Sequence, residues 1–182
     1  IYGQSKLISE KEGIKLSESN KLFDFRCIRF PGIISSETMP TGGTSDYASE
    51  MIHAAMNDQP YSCFVDNHTI LPFMVMPDAI SAMIQLIESS KHQLKSAIYN
   101  VTSFSPSALD IEMKIKTFFP DFEVKYDRNN DRQKIVNSWP NNINDSCAKK
   151  DWLWNPKYDF NSAFNNYIIP NLFEHYEQKD KS

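Results

Sequence analysis

Glycine is scarce in this sequence: 5 of 182 residues, at positions 3, 13, 32, 42 and 43, with none beyond. Neither a G-x-G-x-x-G fingerprint nor a G-x-x-x-x-G-K-[ST] loop can therefore be written anywhere in the chain, and a pyrophosphate finds no glycine-rich cradle in it. Cysteine is equally sparse. Cys27, Cys63 and Cys147 are odd in number and form no C-x-x-C pair, which excludes a disulfide framework and a zinc knuckle and fits an intracellular, reducing setting. His53, His68, His92 and His175 show no H-E-x-x-H spacing, so no metal site is expected. Positive charge is short as well: 19 basic against 23 acidic residues leave a net charge of −4. Nucleic-acid and anionic-membrane binders need a basic surface, and this chain is expected to be neither. No apolar run approaches the roughly 18 to 20 residues of a membrane span. The first residues read as the interior of a folded domain, since a leader's basic start and apolar stretch are missing.

What is present is the patterning of a globular α/β chain, with 41% hydrophobic and 13% aromatic residues. Residues from about 2 to 18 carry helix formers, with Leu7, Ile8, Ile14 and Leu16 on a broad apolar stripe. Phe23 to Phe30 reads as a buried strand closed by a Pro31-Gly32 turn. After a polar loop over 35–44, Asp46 to Asn57 predicts a helix with Tyr47, Met51, Ile52 and Ala55 inward. Pro77 and Asp78 open another helix to about Ser89, because proline has no amide to lose in a first turn and a carboxylate meets the helix dipole there. Ala97 to Val101 predicts a short strand, and Ser105 caps a helix running to about Phe119. A strand follows at 122–126. The stretch 127–144 is polar and Asn-rich, yet holds Trp139-Pro140. A last helix, from about Phe160 to Glu177, would place Phe164, Ile168, Leu172 and Phe173 on one side.

Tyr2 and Lys6 stand four apart on the first predicted helix, so the two face the same way. A nearby cation favours phenolate and lowers a tyrosine's pKa from its reference near 10. A tyrosine so placed can act as a general base toward an alcohol. The spacing alone is weak evidence, since eight tyrosines and fifteen lysines supply about one such pair by chance. Its sequel carries more. Phe25-Arg26-Cys27-Ile28-Arg29-Phe30-Pro31-Gly32-Ile33-Ile34 gives a strand whose carboxyl end could reach a ligand. Arg26 and Arg29 lie three apart and so face opposite sides of it. Arg29 could order the loop after Pro31, and no role for Arg26 is apparent.

Tyr2/Lys6 with Arg29-Phe30-Pro31-Gly32 resembles the extended short-chain dehydrogenases/reductases. Within them the chain is most similar to the NAD-dependent L-threonine 3-dehydrogenases. The resemblance continues through Thr41-Gly42-Gly43-Thr44-Ser45-Asp46-Tyr47-Ala48, Leu71-Pro72-Phe73-Met74-Val75-Met76-Pro77-Asp78-Ala79-Ile80, Ser138-Trp139-Pro140 and Asp151-Trp152-Leu153-Trp154-Asn155-Pro156. It implies an α/β fold: the C-terminal part of a Rossmann-type parallel sheet plus a smaller α/β substrate-binding lobe. Residues 1–35 would supply the catalytic helix and following strand, and 36–182 mainly the lobe, with about 70–104 returning to the sheet.

The resemblance also implies roles. Tyr2 would take the proton of the threonine β-hydroxyl as hydride leaves the same carbon for NAD, and Lys6 would lower the tyrosine pKa and bond the cofactor ribose. Pro31, Gly32 and Ile33 would pass beside the nicotinamide, with Gly32 small for that reason. Thr44, Ser45 and Asp46 would bind the amino acid, and Trp139 would close the pocket. A homodimer through helices that include the Tyr2 helix is the implied assembly, with either a mitochondrial or a cytoplasmic location. Read from the residues alone, Thr41 to Ser45 is also simply a polar loop capped by Asp46, and Trp152, Trp154 and Pro156 are core of the lobe. Met74, Met76 and Met83 read as packing.

Three positions depart from the family's pattern: Thr41 in place of a glycine, Asn137 in place of an aspartate, and Leu153 in place of a glycine between two tryptophans. The fingerprint glycines, a ribose-binding acidic residue and an active-site Ser or Thr would all lie upstream of Ile1. The chain is thus expected to be partial and inactive alone. Two other readings stay open: a nucleotide-sugar epimerase or dehydratase, whose diphosphate grip could here use only Arg128 and Arg132, and a non-catalytic remnant or dimerisation module.

Overall fold

The computed structural model describes residues 2–179. In chain order its elements are α1 (Tyr2–Ser19), β1 (Cys27–Arg29), β2 (Gly32–Ile34), α2 (Tyr47–Met56), β3 (Tyr61–Cys63), β4 (Phe73–Val75), α3 (Met76–Glu88) and β5 (Ile98–Asn100). There follow α4 (Ala108–Lys116), β6 (Val124–Tyr126), α5 (Asn130–Asn137), α6 (Ser146–Trp152), α7 (Phe160–Ala163) and α8 (Ile169–Lys179), the last two joined by a π-helical turn over Phe164–Ile168. All three strand pairs are parallel: β1 with β5, β2 with β4, and β3 with β6. Parallel pairing requires crossover connections, which the intervening helices provide.

The Pro31-Gly32 step is not a turn. Pairing with β5 ends at Arg29 and pairing with β4 begins at Gly32, and Pro31 between them cannot donate to a ladder. One run of chain therefore serves two neighbours, with an unpaired step, a kink in the ladder, at Phe30-Pro31. Arg26 and Arg29 do face opposite ways. The Arg26 guanidinium donates to the carbonyls of Leu86, Ile87 and Ser89 at the end of α3 and holds Asp24 at 2.7 Å. A cation at a helix C-terminus satisfies carbonyls that lack intrahelical partners. Arg29 does not order the loop after Pro31: it grips Glu10 of α1 through both carboxylate oxygens, with Nε to Oε1 at 2.7 Å.

The apolar stripe expected on α1 is mostly exposed: Leu7, Ile8 and Leu16 lie in the open. The helix instead meets the strand layer at Gly13, where a Cβ would come within 2.3 Å of the Phe25 ring. Glycine at this position permits close approach rather than a special backbone angle.

β4 is buried on both faces, and its side chains alternate between two cores. Phe73 and Val75 join a cluster built on α2, α4 and the C-terminal helices, around Tyr47, Met51, Ile111, Phe164 and Ile168. Met74 joins the other, with Ala79, Ala82, Tyr99, Trp152 and Trp154. The two tryptophans are thus core, packed with α3 and β5.

Several local expectations shift. Ser107, not Ser105, caps α4, forming a reciprocal capping box with Asp110. The polar stretch 127–144 contains α5, started by Asn129, whose side chain accepts from the amides of Asp131 and Arg132. Pro170 lies in the first turn of α8, where a proline would collide with the preceding α-helical turn. The wider π turn at 164–168 accommodates it.

Leu153 ends α6 in the left-handed region, φ 58 and ψ 31, with its side chain 80% exposed. A branched side chain there costs about 1 kcal/mol and gains nothing from burial. Leu153→Gly should therefore raise unfolding stability by about 0.5–1 kcal/mol after the glycine's larger unfolded-state entropy is deducted, as read from urea midpoints.

The β3–β6 pair carries two phenol–carboxylate contacts: Tyr61 donates to Glu50 at 2.6 Å and Tyr126 to Glu112 at 2.8 Å. Burial first, then these hydrogen bonds, push both phenols above their ordinary range, and burial does the same to Tyr47. The folded state disfavours phenolate relative to an unfolded chain titrating near 10. The stabilisation is complete below about pH 10 and is lost above it, at up to about 1.4 kcal/mol per pH unit for each tyrosine. Urea unfolding at pH 9, 10 and 11 should show this fall, and Tyr61→Phe with Tyr126→Phe should flatten it.

Candidate active site

Two cavities flank the kink between β1 and β2 and share Phe30 and Pro31. The larger, about 690 Å³, is lined by Lys6, Ser9 and Glu10 of α1 and by the consecutive residues Phe25 to Pro31. Consecutive residues of one strand line a cavity only along its edge, so this space runs beside β1. The smaller, about 270 Å³, is walled by Phe30, Pro31 and Gly32, by Leu71 and Pro72 before β4, and by Ser45, Trp139, Pro140 and Ile143. Pro31 follows the carboxyl end of β1, where α/β sheets present ligands.

Of the residues singled out in the sequence, Pro31, Gly32, Ser45 and Trp139 converge on the smaller cavity, while Lys6 lines the larger one beside Pro31. Trp139, 39% exposed, stands at the mouth. Tyr2 lies in the backbone of α1 one turn before Lys6; its side chain is outside the description. Glu10 follows Lys6 by another turn, so positions 2, 6 and 10 share one helix face. The Arg29–Glu10 pair ties that face to β1 one residue before Phe30. The same guanidinium holds the Glu10 carboxyl below its usual range.

Three residues stand elsewhere. Ile33 packs on the Met74–Trp154 cluster. Thr44 is half-buried beside Ser45 without lining the cavity. Asp46 turns its Oδ2 back onto its own loop, accepting from the amides of Thr41 at 3.0 Å and Gly43 at 2.8 Å, so it organises the loop and makes no side-chain cap. A Cβ at Gly43 would lie 2.9 Å from that carboxylate, so a larger residue would have to displace the Asp46 side chain. At Gly32 the fold adds its own demand for a small residue: a Cβ there would sit 2.7 Å from the Phe73 ring.

Sequence reasoning offered Arg132 only as a diphosphate grip. Its Nη2 donates to the Gly42 carbonyl at 2.6 Å, and its guanidinium stacks 3.7 Å from the Phe64 ring centroid. Ninety residues separate Arg132 from Gly42, so no local signal could have paired them. Asn137, where the family pattern has aspartate, accepts from Gln133 Nε2 at 2.7 Å, and Gln133 in turn contacts Thr69. Among the described residues no cluster of three or more His, Cys, Asp or Glu could hold a metal, and no helix is long and apolar enough to cross a membrane.

No protein-family model matches the chain. Curated relatives do. Bovine mitochondrial L-threonine 3-dehydrogenase is 37% identical over 160 residues, covering 88% of this chain and 42% of that protein. An uncharacterised epimerase/dehydratase of Staphylococcus aureus is 39% identical over 158 residues, covering 86% and 48%. Among solved structures, L-threonine dehydrogenase from Clostridium difficile superposes with a TM-score of 0.89 at 34% identity, over 96% of this chain and 54% of that one. The GalE-like L-threonine dehydrogenase of Cupriavidus necator gives 0.87 at 36%, over 95% and 61%. The chain spans about half the length of the curated relatives it matches. In sequence and in parallel α/β architecture, the chain is similar to about half the length of L-threonine 3-dehydrogenases and of these epimerase/dehydratases.

Proposed function

We propose that this chain supplies the substrate-binding half and the general base of an NAD-dependent L-threonine 3-dehydrogenase, converting threonine to 2-amino-3-ketobutyrate when the rest of such an enzyme is present. The observation that carries the reading is the convergence of Pro31, Gly32, Ser45 and Trp139 on one cavity, beside the face of α1 that bears Lys6. Four residues spread over more than a hundred positions meet where an alcohol could be held. NAD, when bound, accepts hydride from the carbinol carbon. The residues present fit its nicotinamide and ribose end alone, with Lys6 to donate to ribose hydroxyls and Pro31 and Gly32 to flank the ring. No glycine-rich loop among the described residues would cradle a pyrophosphate.

Tyr2 would take the hydroxyl proton, helped by the Lys6 ammonium, which favours phenolate. Ser45, with Thr44 beside it, would offer a hydroxyl to the amino acid's carboxylate, and the Trp139 indole would exclude water over the pocket. The second core, around Met74, Ala79, Ala82, Tyr99 and Val101, supports a sheet part that includes about 70–104, with 148–154 packed on it, while Ile34, Leu71, Phe73 and Val75 face the core of the remainder. Exposed Leu7, Ile8 and Leu16 on α1 would suit a homodimer.

A specific observation disfavours a nucleotide-sugar epimerase: Arg132, needed to grip a diphosphate, is spent on Gly42 and Phe64. The test compares the longer protein with NAD and L-threonine against the same protein with UDP-sugars. NADH formation from threonine is expected, and none from the 182-residue chain alone. Turnover of the UDP-sugar without NADH formation from threonine would sink the proposal.

A further inference from the structure

We infer that Arg132 is a positioning residue that sets the two walls of the small cavity at a fixed distance, using α5 as a bar between them. The inference rests on the reading of this cavity as the substrate pocket only for its consequence in catalysis, and on geometry for the rest. One wall is the loop Thr41–Asp46, which delivers Ser45. The other is the segment after α5, which delivers Trp139.

The loop is rigid within itself. Asp46 Oδ2 takes the amides of Thr41 and Gly43, and Gly42 adopts φ +88, a left-handed conformation that leaves its carbonyl to an outside donor. That donor is Arg132. Among the described residues this hydrogen bond joins the loop to α5, while the loop's other end runs into α2, where buried Tyr47 meets the Phe64 ring.

Arg132 occupies the first turn of α5, and its head is held from two directions. The Phe64 ring lies against the guanidinium plane, and the Gly42 carbonyl meets its edge. A stacked guanidinium loses little freedom when it donates, because its planar fork is already oriented. Further along α5, buried Gln133 and Val136 fix the helix to the lobe. Gln133 takes the amide of Asp66 at 2.7 Å and donates to Thr69 and Asn137. Trp139 then leaves the helix end with its amide on the Val136 carbonyl at 3.0 Å. Arg132 and α5 thus link a displacement of the loop to Trp139. The residue touches neither cavity, yet fixes its width.

The test uses the 182-residue chain with its three tryptophans replaced by 5-fluorotryptophan, and the Trp139 fluorine resonance assigned by Trp139→Phe. Arg132→Met keeps an apolar stem on Phe64 and removes the donor. It should shift or broaden the Trp139 resonance while those of Trp152 and Trp154, in the other core, stay in place. Subtilisin cleavage within 41–46 should accelerate about tenfold, the loss expected for one charge-assisted hydrogen bond. Arg132→Lys, which keeps a donor without the planar stack, should restore part of both effects. A variant that merely loosens the fold would move all three fluorine resonances, and that outcome overturns the inference. So does an unchanged Trp139 resonance with unchanged cleavage. Absence of threonine turnover in the longer, unsubstituted protein would remove the functional reading and leave these readouts, and the positioning role they report, intact.

Discussion

Asp78→Ala should cost about 3–5 kcal/mol of unfolding stability, a fall in urea midpoint with little change in slope. The carboxylate is 1% exposed in the first turn of α3 and accepts three hydrogen bonds. Oδ1 takes the Lys157 amide at 2.9 Å, while Oδ2 takes the Tyr158 amide and the Ser103 hydroxyl, both at 3.2 Å. Truncation leaves two backbone donors and a hydroxyl without their acceptor in the interior, each costing about 1–3 kcal/mol when water cannot reach it. Asp78→Asn is no rescue. Its amide group must turn NH₂ toward an N–H or a hydroxyl on one side or the other, so a loss of about 2–3 kcal/mol is expected from that variant as well. A loss below about 1 kcal/mol in both would mean that the 157–158 segment is not anchored through this carboxylate.

Asp78 also marks the line between what could and could not be read from the sequence. Pro77-Asp78 announces the start of α3 by local chemistry, since ring and carboxylate both suit a first turn. That the same carboxylate holds a segment 79 and 80 positions away is a tertiary fact without a local trace. The same division recurs. The termini of α2, α3 and the long C-terminal helix were legible because caps, proline and apolar period act within a few residues. β3 and β4 were not, being three residues each and recognisable only through their parallel partners. α5 was masked by its polarity, since only Gln133 and Val136 are buried on it. At the site, the cavity-lining role of Ser45 and Trp139 was reached through the resemblance. At Gly32 the resemblance pointed to a small residue, but the Phe73 ring that also demands one comes from a strand the sequence did not reveal.

Tyr2→Phe in the longer protein should lower kcat for threonine oxidation by about 10²–10⁴-fold, the range for loss of a general base, while KM and thermal stability change little. Position 2 starts α1, and along that helix face Lys6 lines a cavity with Pro31 while Glu10 is held by Arg29. A phenol carried there needs a cation to ionise near neutral pH. Lys6→Met should therefore move the rising limb of the kcat profile to higher pH, since the phenolate loses the charge that favours it. Arg29→Ala acts at one remove: it frees Glu10, lets α1 turn on its Gly13–Phe25 contact, and should reduce kcat without displacing that limb. The pH profile thus separates the residue that tunes the base from the residue that holds its helix. An unaltered kcat in Tyr2→Phe would take the chemistry out of this helix altogether and favour a non-catalytic role for the chain, with Arg29 and Glu10 then serving only to pack α1 on the sheet.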